Sequence, residues 1–299
     1  LRVSWSPGYV VPLPEGHPFP IGKFAALHRI LLAEGVVRPQ DVVEPQEAQW
    51  ADLRLAHGVG YLGALAEGSL ERAAERRMGL PWSKALVRRS RLATQGTLNA
   101  AIMALEDGVA GNLAGGTHHA FADRGEGFCV LNDVAVTIRV LKRSGFVRRV
   151  LVVDLDVHQG NGTAAIFAGD SEVLTFSVHG EKNFPFHKET SCLDVGLPDG
   201  TGDAAYLDAL VANLDDVFAR ARPDLVFYLA GVDPVEGDRF GRLALTPTGL
   251  RDRDRFVLET VRRQGAPVVI VLSGGYAPTP ERTAELHATV FREAVGLLA

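Results

Sequence analysis

Residues 150–163 read VLVVDLDVHQGNGT, and no other stretch restricts the fold as tightly. The stretch opens with a β-branched apolar run suited to a strand covered on both faces. Asp154, Asp156 and His158 follow at alternate positions. In extended backbone, alternate side chains share a face. Two carboxylates and an imidazole aimed into one space call for a cation between them. A divalent metal meets that need, and carboxylate with imidazole is a donor set that zinc or ferrous iron accepts. Gly160 and Gly162 then allow a sharp turn and a close backbone approach. A strand end with merely solvated acids would need neither the apolar run nor the glycines.

Similar apolar runs recur at 172–178 (EVLTFSV), 225–230 (LVFYLA) and 267–272 (PVVIVL), and residues 2–5 read as a further short strand. Helical stripes separate them. Phe24, Leu27, Leu31 and Leu32 form one before Gly35; Leu98, Ile102 and Leu105 form another before Gly108 and are expected to face the core. Residues 134–144 read as a helix stopped by Gly145. Tyr206, Leu207, Leu210, Leu214, Val217 and Phe218 mark a helix that Asp203 should cap and Pro223 should follow. Residues 48–65 suggest one or two short helices, and 164–169 another. The alternating charges of 251–263 predict a helix with a solvated face, and Thr279-Pro280 begins the last helix. Residues 181–202 read as loop, with turn chemistry at Phe184-Pro185 and Asp199-Gly200. The expected fold is α/β: one domain over residues 1–299, a central, mainly parallel sheet with helices on both faces.

The polar residues fall in a telling place. His118 with His119, the 154–158 segment, Ser177, Asp233 and Tyr276 each come just after a separate apolar run. Folds of this kind bind ligands at the carboxyl ends of their strands, so these residues should meet in one active site. Adjacent residues on a strand face opposite ways, so both histidines reach that site only if Gly115 and Gly116 turn the chain. Phe128, between Gly127 and Cys129, is either core filler or a pocket wall.

Composition removes several alternatives. A net charge of −5 argues against a nucleic-acid surface built on excess positive charge, while a basic protein tail or a small acyl amide stays open as a partner. Cys129 and Cys192 support neither a disulfide framework nor a CxxC metal knuckle; they are expected as free, buried thiols in a reducing, cytoplasmic setting. No apolar run approaches a membrane span, and the first residues lack the pattern of a secretory signal. His17 reads as loop surface, His57 as structural or rim, and His179 and His187 as loop residues near the rim.

Five segments in order, GGTHHA (115–120), GEGFCVLND (125–133), DLDVHQGNGT (154–163), GVDPVEGDRFG (231–241) and LSGGY (272–276), resemble the histone deacetylase family, within the arginase-deacetylase fold. The forms HQGNG, EGDR, SGGY and RTAE (282–285), with the N-terminal PEGHPFPIGKF, are most similar to the class IV branch and its bacterial relatives. The resemblance implies a metal-dependent amidohydrolase that removes acetyl or longer acyl groups from lysine-like amines, in peptides and proteins or in small amines such as acetylpolyamines. It implies one divalent metal, zinc or ferrous iron, on Asp156, His158 and Asp233. It implies His119 as general base for the attacking water, His118 as electrostatic partner and Tyr276 as donor to the oxyanion. Asp154 would orient His118, and Asp154, Asp156, His158, Ser177 and Val178 would hold a structural potassium ion.

Where the class I branch sets an aspartate against the second histidine, this chain has Asn161. An amide orients the ring while raising its basicity less, so His119 is predicted to stay neutral near pH 7. Gly127, Phe128 and Phe184 match the family's substrate tunnel, with Phe186 competing for the second aromatic place. Two readings of another kind remain. A ureohydrolase on the same fold would carry two manganese ions, usually in DxHxD order, whereas the order here is DxDxH followed by Gly160. A silent acyl-lysine or acyl-polyamine binding module would not need the full set of ligands, histidines and tyrosine.

Overall fold

A strand that sends Leu151 and Val153 one way and Val150 and Val152 the other needs apolar cover on both faces. The computed structural model, which describes residues 1–298, supplies it; Ala299, the last residue of the expected domain, lies outside the described residues. Among those residues the strands are β1 (Val3–Ser4), β2 (Val42–Val43), β3 (Val109–Asn112), β4 (Val150–Asp154), β5 (Val173–Gly180), β6 (Leu193–Leu197), β7 (Leu225–Leu229) and β8 (Val268–Val271). They form one sheet in the order β2-β1-β3-β8-β7-β4-β5-β6, and every neighbouring pair is parallel. The helices are α1 (Lys23–Ala33), α2 (Trp50–Leu53), α3 (Val59–Glu67), α4 (Arg72–Met78), α5 (Lys84–Asp107), α6 (Asp133–Arg143), α7 (Asn161–Ile166), α8 (Asp203–Ala221), α9 (Pro247–Gln264) and α10 (Pro280–Leu298).

Two cores follow from the two faces. Leu151, Val153, Val226, Tyr228 and Ile270 pack with residues of α1, α8, α9 and α10. Val150, Val152, Phe227 and Val269 pack with residues of α3, α5 and α6. Each such side chain contributes about 1.5–3 kcal/mol on burial. The expected α/β architecture is therefore present, with a sheet that is parallel throughout.

Several local expectations are corrected. In α5 Leu98 and Leu105 pack half-buried against the core as expected, but Ile102 is exposed, and much of the buried stripe is made of small residues, Ala93, Thr97, Ala100, Ala101 and Ala104. Close approach to the sheet decides this: at Gly96 a Cβ would strike the Tyr9 hydroxyl and Asn112. Residues 181–202 contain β6, an edge strand whose alternating exposure gives no continuous apolar run. The short helix α7 starts at Asn161, not 164. Asp203 lies inside α8 after Gly202, and its carboxylate accepts from Thr246 at the start of α9 instead of capping its own helix. On α9 the charged pair Arg253 and Asp254 is fully buried, so that face is not simply solvated. Cys129 is buried but Cys192 is exposed, and both thiols are free. His179 is a buried residue of β5, not a rim loop residue, and bonds Ser177 Oγ at 2.9 Å. His57 is likewise buried, between the Phe121 carbonyl and the Asn132 amide. His17 is half-buried against the Gly79 carbonyl.

Candidate active site

β4 and β7 are neighbours, but the chain leaves them in opposite directions, to β5 on one side and β8 on the other. Such a divergence opens a crevice at the carboxyl edge of the sheet. Asp156 and His158 enter it just beyond β4, and Asp233 just beyond β7. His158 Nδ1 lies 2.9 Å from Asp156 Oδ1 and 3.2 Å from Asp233 Oδ2, and the donor atoms of the three residues all lie within 4.8 Å of one another. All three are buried.

This donor set fits a cation. Asp233 Oδ2 is buried without a hydrogen-bond donor, since His158 Nδ1 is near it but not aligned with it. The other oxygens are tied down: Asp233 Oδ1 accepts from Val157 N at 2.9 Å, and Asp156 Oδ2 from Ser273 Oγ at 2.7 Å and Gly274 N at 2.6 Å. Gly274 is needed for this closeness, because a Cβ there would strike both carboxylates. Burial opposes charge on Asp156, but cationic His118 and the donors of His158 hold it well below the usual carboxylate range. Asp233 is pushed up to about 7 by burial and by the Asp156 charge. Burial also opposes charge on His158, yet Asp156 and Asp233 raise it to about 10. Two acids competing for one proton on a shared imidazole describe a seat for positive charge.

The tandem histidines stand beside this seat, with ring centroids 4.1 Å apart. Gly115 and Gly116 both have positive φ, which supplies the required turn. Buried Asp133 accepts from the Gly116 and Thr117 amides and fixes the turn. His118 Nδ1 bonds Asp154 Oδ2 at 2.7 Å, and His119 Nδ1 bonds Asn161 Oδ1 at 2.7 Å. The Asn161 amide nitrogen donates to Glu126 at 3.3 Å, so its oxygen faces the ring and His119 carries its proton on Nδ1. Nε2 is left as a lone pair. The environments drive the two rings apart. For His118 burial is outweighed by Asp154 and Asp156, which raise it to about 9. For His119 burial and the neighbouring charges of His118 and His158 push it well below the ordinary histidine value. The surroundings thus favour charge on His118 and the neutral form of His119, the kind of split that separates acid from base roles.

Tyr276 follows β8, and its ring centroid lies 6.4 Å from that of His158. Burial and the two ligand carboxylates push its hydroxyl well above the usual tyrosine value, so it stays a donor. Phe184 meets His119 edge-on at 4.9 Å, and Phe128 lies 5.9 Å from Tyr276. Gly127 has φ +55°, and a Cβ there would come within 2.7 Å of the His119 ring. The competitor Phe186 is 81% exposed and lies farther out. Asp154 pairs with Ser177 across β4 and β5, and Val178 follows, so the residues expected around a potassium ion are neighbours. The exposed His187 stays in the loop.

Sequence reasoning missed four supporting residues. Asp238 accepts from Tyr276 N at 2.6 Å and holds the tyrosine loop. Buried Lys23, from α1, donates to the Ser273 carbonyl at 3.0 Å and contacts His287 of α10 at 3.3 Å. Phe240 stacks edge-on against Tyr276 at 4.9 Å. Arg253 donates to the Leu155 and Gly231 carbonyls at 3.2 and 2.7 Å, bracing both ligand loops from behind. Three of the four stand in segments singled out above, Lys23 in PIGKF and Asp238 and Phe240 in GVDPVEGDRFG.

Fold and site together define the arginase-deacetylase class: a parallel α/β sheet with an Asp-His-Asp ion seat and paired histidines at its carboxyl edge. Residues 17–293 match the histone deacetylase domain, and the chain belongs to the histone deacetylase family. It is 49% identical over 292 residues to an uncharacterized protein of Picosynechococcus sp. (strain ATCC 27264 / PCC 7002 / PR-6), covering 98% of this chain and 97% of that one. It is 32% identical over 275 residues to histone deacetylase 2 of Arabidopsis thaliana, covering 89% and 71%. A crystal structure of an HDAC homolog complexed with SAHA matches with a TM-score of 0.82 at 27% identity, over 100% of this chain and 88% of that one.

Proposed function

We propose that this chain is a metal-dependent deacylase that hydrolyses acetyl or longer acyl groups from lysine-type amines. The observation that carries the reading is the pair of imidazoles, His118 bonded to a carboxylate and His119 to an amide, beside a buried Asp-His-Asp seat. Asp156, His158 and Asp233 would hold the divalent ion, zinc or ferrous iron. When bound, it supplies electrophilic polarisation of the acyl carbonyl and acidifies water near neutral pH.

The chain's own residues do the rest. Phe128 and Phe184 enclose the methylene stem and exclude water. His119 Nε2 takes the proton from the attacking water and returns it to the leaving nitrogen. His118, charged and tied to Asp154, offsets the negative charge that develops on the carbonyl oxygen, to which Tyr276 donates its hydroxyl. A C–O bond forms and the C–N bond breaks, giving a carboxylate and a free amine. Asp154, Asp156, His158, Ser177 and Val178 would hold a structural potassium ion. The HQGNG, EGDR and SGGY forms support a place in the class IV branch, and the two unpaired thiols support a cytoplasmic setting.

Beside the histidines and the ion seat, a pocket lined also by Phe24, Arg89, Ala93 and Cys129 offers a place for the acyl end. Acetate release from an acetyl-lysine peptide tests the reading. It should vanish with a chelator and return with zinc or ferrous iron, and His119→Ala should lower kcat by about 10²–10⁴-fold. Peptide binding without release at any metal loading would leave a binding module, and two ions per chain would favour a ureohydrolase.

A further inference from the structure

Outside the aromatic walls the site opens into a cleft of about 510 Å3. Five cationic side chains line it, Arg76, Arg77, Lys182, Arg239 and Arg242, and no carboxylate does. The chain as a whole is acidic, with 36 Asp and Glu against 31 Lys and Arg, so this local excess does not follow from composition. All five are exposed. Arg242 pairs with Asp199 at 3.3 Å. Among the described residues, Arg76, Arg77, Lys182 and Arg239 have no carboxylate within 4.0 Å. The nearest acid on the 239–242 loop, Asp238, is occupied by the amides of Tyr276, Phe240 and Gly241.

The cations stand on fixed backbone of separate segments. The end of α4 is docked to the tunnel loop, where Gly127 N donates to the Arg77 carbonyl at 3.2 Å and Phe128 N to the Met78 carbonyl at 2.8 Å. In the loop after β7, Arg239 N donates to the Tyr276 carbonyl at 3.2 Å. Any chain that threads a lysine stem between Phe128 and Phe184 must lay its neighbouring residues against these groups.

We infer that the cleft selects an acyl-lysine carried in an acidic protein segment, with carboxylates near the acylated residue meeting Arg76, Arg77 and Arg239. The inference rests on the deacylase reading and names its substrate class. An acylated polyamine keeps a positive charge at its free end, and a basic tail displays several, so both meet like charge here, which disfavours binding. Complementary charge raises the rate of encounter and makes it sensitive to salt.

The metal-loaded protein is given two acetyl-lysine peptides, one flanked by glutamates and one by lysines, together with a monoacetylated diamine. Acetate release and peptide binding by fluorescence anisotropy are both measured. At low salt, kcat/KM for the acidic peptide should exceed that for the basic one by about tenfold, mainly through KM, and the gap should shrink to about twofold at 0.5 M salt as screening shortens. The double variant Arg76→Glu, Arg239→Glu should reverse the order of the peptides, a ratio read within each protein and so independent of its specific activity. Equal kcat/KM values, or preference for the basic peptide or the diamine, would overturn the inference and leave a deacylase. Acidic-peptide binding without acetate release would overturn the deacylase reading and leave the rim assignment. Neither binding nor release would overturn both.

Discussion

At position 161 an amide stands against the second histidine, and the consequences are local and measurable. The Asn161 oxygen fixes the His119 ring, and its nitrogen is spent on Glu126. An aspartate here would place a second carboxylate beside Glu126 and a full charge beside His119. Asn161→Asp should therefore raise the His119 pKa. Because the base works only when deprotonated, the acidic limb of the kcat/KM profile should move to higher pH. A one-unit shift corresponds to about 1.4 kcal/mol of added stabilisation of the imidazolium. An unchanged or lowered limb would show that Asn161 does not orient the base. Elsewhere at this scale, the meeting of Asp156, His158, Asp233, the paired histidines and Asn161 was legible from short motifs, although β4 ends at Asp154 and Asp156 and His158 lie on bent backbone beyond it, not on an extended period-two face. Lys23 and Asp238 were not legible. Their partners are a backbone carbonyl 250 residues away and a backbone amide 38 residues away, and the main chain carries no residue identity to read.

Among the elements, legibility followed covering. β4, β7 and β8 are covered on both faces and announced themselves as continuous apolar runs. β6 is half-solvated and was hidden in a segment read as loop, while β3 is only four residues long and includes Gly111 and Asn112. Helix α9 misled for a physical reason: alternating charge normally marks a wet face, yet Arg253 and Asp254 point inward, where Asp254 also accepts from Tyr228. Arg253→Leu should remove the donors to Leu155 and Gly231 and strand the Asp254 charge. Loss of about 3–5 kcal/mol in urea unfolding is expected, as for other broken buried pairs. Metal affinity should fall with it, since both ligand loops lose their brace. A change below about 1 kcal/mol would show that water replaces the guanidinium.

For the molecule as a whole, charge and chain direction are both unevenly placed. A net-acidic protein gathers cations around one opening. Its eight strands all point the same way, so every candidate catalytic residue lies beyond a carboxyl end. The turns that lead into the strands, such as 144–149 and 167–172, hold none of them. Ala168 and Gly169 are exposed, and a side chain added at Gly169 would meet open space. Inserting about ten Gly and Ser residues between them should leave metal-dependent acetate release and the thermal midpoint nearly unchanged, because exposed turn tips tolerate added chain. A comparable insertion at 236–239 should abolish activity by releasing the tyrosine loop. A parallel sheet thus gives the molecule a working end and an idle end. The idle end is where a tether, a label or a second module can be joined without the chemistry registering its presence.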